Sequence, residues 1–228
     1  MTMFKWALLR VVRKPGSLIA NSVLPVALVL IPGLWTDGAT NGFFLMGMVI
    51  MTAGYFVSGT VAADRRDDSL TRVLTGPVTL TNYLAQNLLA SMVPLLVQIL
   101  LVGGLGALLY GWALDFTLML MFTYFLFAVS SVAFAYGWNT LFKSKTASGG
   151  TFTTLMTLIA FFGGLMVPLE ALPDILRNIG AIFPAQWLTR SLGYLLASNI
   201  CGEFWLAQGI LVLFTVAFLL FGGKRKVV

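Results

Sequence analysis

Six times in 228 residues the chain runs apolar for the length of a bilayer: about 17–35, 42–63, 82–109, 116–142, 147–167 and 204–221. Nothing constrains folding more, because backbone N–H and C=O groups crossing hydrocarbon must be paired within the segment, and recurrent runs of about 20 residues pair them as helices. Hydrophobic residues make up 59% of the chain and the mean hydropathy is +0.93, too little polar surface for a soluble domain. The expectation is an all-α integral membrane protein. It has one transmembrane domain over 1–228, six spans and no stretch left for a separate soluble domain.

Charge sets the orientation. The net charge is +6, and the bases flank spans, where they face anionic lipid rather than nucleic acid. Residues 1–16 read as an interfacial amphipathic helix. Phe4, Ala7, Leu8, Val11 and Val12 share one face, while Arg10, Arg13 and Lys14 take the other beside Lys5. A secretory signal competes for this region, but the run after Pro15-Gly16 is long and lacks a clear small-residue cleavage site. With both termini inside, twelve of the fourteen bases fall on the inner side and only Arg177 and Arg190 outside. Five acids (Asp37, Asp115, Glu170, Asp174, Glu203) also fall outside, a positive-inside pattern. Residues 168–202 are apolar enough to suggest a seventh span. That span would bury Arg190 in lipid and put the C-terminal Lys-Arg-Lys outside, at several kcal/mol on insertion scales. The segment is therefore expected as short re-entrant helices at the outer leaflet, sheltered by protein.

Several chemistries are excluded. There is no histidine, and Cys201 is the single cysteine, so a zinc site, a Cys/His nucleophile or a His relay has no residues to use. No phosphate-cradling Gly-rich loop with its Lys is present. Glu170 and Asp174 are spaced for one helical face, but beside Pro173 they read as capping and surface groups. No ionisable residue lies clearly inside a span, which disfavours ion-coupled carriage. The chain itself is not expected to be an enzyme.

The spans are rich in small and hydroxylated residues, as in "SGGTFTTLMT" from Ser148 to Thr157, Gly54 with Ser58, and Ser130-Ser131. Close helix packing is the plainer reading. A substrate path is the other, with Tyr55, Phe56, Thr154, Phe161 and Phe162 as its candidates, the aromatics forming a hydrophobic constriction. The sequence alone does not orient them.

The densest charge in the chain lies between the second and third runs, in "DRRDDSLTRVLTGPVTLTNYL" (64–84), with six charges in its first nine residues. From Ser69, Leu70, Val73 and Leu74 fall on one helical face with Arg72 off it. Asp67, Asp68 or Ser69 can cap the start, and Gly76-Pro77 stops the helix. A loop that only halts transfer needs no Leu/Val face. The pattern over 64–76 fits a short cytoplasmic helix that docks a soluble partner.

This segment resembles the coupling region of the type-two ABC exporter permeases. Asp64, Arg65, Arg66, Ser69, Leu70, Leu74, Pro77 and Tyr83 stand in the places of that pattern, which Asp68 and Thr71 depart from. A second stretch, "GGLMVPLEALPDILRNIGAIFPAQWLTRSL", is similar to the family's outer re-entrant region through Pro168, Leu172-Pro173, Pro184 and Trp187, and Glu170 is a candidate site residue of that region. The resemblance implies the permease subunit of an ABC exporter in a prokaryotic plasma membrane. It further implies docking through Asp64–Leu74 to a separate ATP-binding subunit that holds ATP and Mg, and pairing with a second permease chain. The cargo expected is hydrophobic or amphipathic: a drug, a peptide antibiotic or a lipid-linked molecule. The alternatives are a secondary carrier or channel and a non-transporting scaffold or immunity protein.

Overall fold

The computed structural model describes residues 2–13, 15–36, 40–66, 75, 79–142 and 144–224. Among them the chain is all-helical: α1 Thr2–Val12, α2 Pro15–Val29, α3 Asn41–Arg66, α4 Leu80–Tyr110, α5 Leu114–Asn139, α6 Lys145–Phe162, α7 Asp174–Gly180, α8 Pro184–Leu196 and α9 Gly202–Lys224. Short 3₁₀ turns at Pro32–Leu34 and Leu169–Ala171 interrupt the connections.

Local chemistry sets most boundaries. Proline opens α2 and α8, where the missing N–H has no intrahelical partner to lose. The Thr79 side chain accepts from the Asn82 N–H and caps α4, and Ser144 caps α6 in the same way. Gly111, at φ 64°, ends α4 in the left-handed conformation and turns the chain directly into α5. Gly106 lies one turn earlier against the Trp112 ring; a Cβ there would come within 2.0 Å of it, so the α4–α5 turn closes only over glycine.

α5 is the central post. Leu120, Tyr124, Phe127, Ala128, Val132 and Ala135 are buried along it, and α3, α4, α6, α8 and α9 all pack against it. The outward faces of α4 and α9 carry Leu89, Leu100, Leu108, Leu213 and Val216, a surface suited to lipid or another helix and not to water.

Four described helices are long and apolar enough to cross a membrane: Asn41–Asp64, Asn82–Tyr110, Leu114–Asn139 and Gly202–Gly222. The expected first and fifth spans correspond to α2 and α6. α2 has 15 residues, and threonines and glycines dilute the apolarity of α6, which has 18. At about 1.5 Å per residue α6 is still about as long as a hydrocarbon core is thick. The stretch expected to re-enter folds as the second 3₁₀ turn, α7 and α8, with no single long helix.

Candidate functional site

Where α3 ends, Asp64 gathers two other helices. The Arg10 guanidinium of α1 donates to both of its carboxylate oxygens, at 2.8 and 2.6 Å, and the Tyr83 hydroxyl of α4 donates to Oδ2. Asp64 is well shielded, at 18% side-chain exposure, against 41% for Arg10. Burial alone lowers the pKa of Arg10, but the hydrogen bonds and charge of Asp64 outweigh it and the net shift is upward. The pair is therefore ionic on the arginine side at any physiological pH.

α1 has a second fastening. Its first-turn Phe4 N–H, which has no partner within the helix, donates to Gln86 Oε1 at 3.0 Å, and Gln86 Nε2 donates to Asn82 Oδ1 at 2.9 Å. The face expected to turn towards headgroups is thus partly turned inward. Arg10 is spent on Asp64, and Trp6 and Leu9 are exposed in its place, beside Lys5 and Arg13. Periodicity located a basic face but had no means of finding an acid 54 residues away.

Beside this latch a charge-free network joins α3, α5 and α6. Asn139 Nδ2 donates to Ser58 Oγ at 2.9 Å, the Ser148 hydroxyl donates to Asn139 Oδ1 at 2.8 Å, and the Tyr55 hydroxyl donates to Ser148 at 3.2 Å. The Tyr55 ring stacks on Phe152 of α6, with centroids 4.1 Å apart. Asn139 was not singled out in the sequence, although an amide at the end of an apolar run was a readable signal.

The far side of α6 faces outward. Gly150, Thr154, Thr157, Leu158 and Phe161 form an exposed stripe at helical spacing. The hydroxyls of Thr154 and Thr157 donate to carbonyls one turn back, at 3.3 and 3.0 Å. What the stripe offers outward is methyl groups and acceptor lone pairs. Thr154 and Phe161 therefore share a face, and Phe162 meets Phe161 edge to face at 5.5 Å. Phe56 is exposed on α3, whereas Tyr55 is drawn into the network. Tyr55 meets Phe56 on α3, with ring centroids 6.1 Å apart, as Phe161 meets Phe162 at the end of α6.

In the connection from α6 to α9, Pro168 precedes the 3₁₀ turn that holds Glu170, Pro173 caps α7, and Pro184 begins α8. Glu170 and Asp174 do not share a helix; Asp174 instead pairs with Arg177 one turn on. Trp187 donates its indole N–H to the Ala181 carbonyl at 2.9 Å.

Of the expected docking residues, Asp64, Arg65 and Arg66 form the end of α3. Asp67, Asp68, Ser69, Leu70, Arg72, Val73 and Leu74, and Lys14 of the expected interfacial segment, lie outside the described residues. The family model described as "ABC-2 family transporter protein" matches residues 35–224. The chain belongs to this family. It is a multi-pass ABC-2 membrane protein, a transport component. Its family region takes in Asp64 and Tyr83 of the latch but begins after α1, which supplies Arg10. No curated protein matches the chain.

Proposed function

We propose that this ABC-2 protein is the membrane-spanning permease subunit of an ATP-driven exporter in a prokaryotic plasma membrane. In this reading α2 and α6 complete six spans, and both termini and the 64–76 segment face the cytoplasm. A separate subunit that binds ATP and Mg docks on the segment following Asp64.

The observation that carries the reading is the latch. It fixes the start of the chain's most charged segment to an amphipathic N-terminal helix and to the base of α4. A push on that segment reaches α1, α3 and α4 together. A second permease chain then completes the path, with the exposed stripe of α6 and Phe56 on the side it meets. A face of methyls and lone pairs suits a hydrophobic or amphipathic cargo, because each hydroxyl proton is already satisfied.

The test is purification of the tagged protein from its own membranes in mild detergent, with vanadate-sensitive ATP hydrolysis assayed on what is recovered. The expected result is an ATP-binding subunit that co-purifies with activity and is lost from the Leu70→Asp variant. Recovery of the protein alone, without hydrolysis, would contradict the proposal.

A further inference from the structure

At the end of α3 opposite the latch lies an open cavity of about 770 Å³, within the size range of small-ligand sites. One face of α8 and its C-cap line it through Arg190, Gly193, Tyr194 and Ala197, which follow the i, i+3, i+4, i+7 spacing of a single helical stripe. The start of α3 and the 3₁₀ turn with Glu170 supply the facing wall. α8 is held in place by Thr189, whose hydroxyl donates to the Gly163 carbonyl at 2.6 Å. The wall is therefore built on packed backbone.

Three charged side chains line the cavity: Glu170, Arg177 and Arg190. Arg177 lines the cavity but is already paired with Asp174. Arg190 lies over the Trp187 ring, 4.8 Å from its centroid, and has no acidic partner among the described residues. Glu170 lines the same cavity and is not bonded to Arg190. Among the described residues, a cation and an anion that are in no ion pair thus line a shared space whose other lining includes Phe44, Leu165 and Met166. Both side chains are exposed to the cavity, and two charges of opposite sign on one open space can be met together by a zwitterion.

We infer that this cavity binds the headgroup of a zwitterionic amphiphile: Arg190 takes its phosphate, Glu170 takes its ammonium, and the apolar wall takes the start of its tail. The inference rests on the proposed orientation, which puts the cavity at the outer leaflet, and it adds a ligand class to that reading. Gly193 acts as the doorway; a Cβ built there meets nothing within 4 Å, so a larger side chain can enter the cavity without displacing the helix.

The test is binding to the purified full chain in detergent by native mass spectrometry, with phosphatidylethanolamine, phosphatidylglycerol and soluble phosphoethanolamine as probes. Phosphatidylethanolamine should bind roughly tenfold better than phosphatidylglycerol, the ratio expected for one charge-assisted pair. Glu170→Gln should erase that preference, Arg190→Gln should weaken both lipids, and Gly193→Leu should exclude both while the protein stays folded. Equal binding of the two lipids, or wild-type binding by Arg190→Gln and Gly193→Leu, would overturn the inference. Competition by phosphoethanolamine at the same concentration as the lipid would overturn the amphiphile in favour of a soluble zwitterion. When the ATPase complex turns over, loss of bound lipid marks it as cargo and retention marks it as a resident lipid; either outcome supports the site. ATPase recovery is read separately, so failure of the cavity and failure of the permease reading are distinguishable.

Discussion

At its C-terminal end α3 is fastened to α1 and α4 by a single carboxylate, Asp64, which takes Arg10 from α1 and Tyr83 from α4. At its N-terminal end Phe43 sits among rings: Trp35 edge-on at 4.9 Å, Trp112 at 5.2 Å and Phe116 at 5.7 Å, with Tyr110 stacked beside Trp35. The first fastening is directional and depends on one residue. The second is shared among five aromatic side chains, each worth a modest part of the whole. A transport protein worked by a partner at one end benefits from this asymmetry. The driven end keeps discrete contacts that transmit a push, and the far end is clamped by bulk.

Breaking the single carboxylate is expected to have the largest effect. Asp64→Ala leaves the buried Tyr83 and the partly exposed Arg10 without their acceptor. It should cost about 2–3 kcal/mol, less than a fully buried pair because Arg10 is partly solvated. Denaturant titration of the protein in detergent reads this, and loss of coupled ATP hydrolysis in the proposed complex is expected alongside. At the aromatic end a comparable loss needs steric force: Gly106→Ala drives a Cβ into the Trp112 ring and should cost about 1–3 kcal/mol in the same titration. Tyr83→Phe, which removes one donor and leaves Arg10 on Asp64, should cost about 1 kcal/mol. Trp35→Phe should cost about as much or less. It gives up the indole bond to the Leu28 carbonyl, 2.8 Å long, while the neighbouring rings still pack. The smallest expected effect is of alkali on the latch. Arg10 is raised above its ordinary value on folding, so its contribution is fully present below that value and is lost only as pH rises past it. A melt at pH 9 should therefore show no weakening specific to Asp64; a drop abolished by Asp64→Ala would contradict the assignment.

The two ends also differ in how far they could be read from sequence. Four of the six expected spans, and the folding of 168–202 as short pieces, follow from local rules of hydropathy and backbone geometry, and the described residues agree with them. The partners of Arg10 do not follow, because a helical period says which residues share a face but not what that face meets. Arg65 and Arg66 are good helix formers, so α3 continues past the edge of its apolar span. Thr154 and Phe161 could be put on one side of α6 from spacing alone, yet that this side is the exposed one depends on Ser148 and Phe152 being claimed by Asn139 and Tyr55.

The central claim, that the latch end is the driven end, is tested most directly by crosslinking. In a Cys201→Ser background, Leu70→Cys and Asn199→Cys would each be labelled with a thiol-reactive photocrosslinker in native membranes and the adducts identified. The account predicts an adduct between Leu70→Cys and an ATP-binding subunit, and none from Asn199→Cys at the cavity end. An ATP-binding subunit captured from Asn199→Cys and not from Leu70→Cys would contradict it.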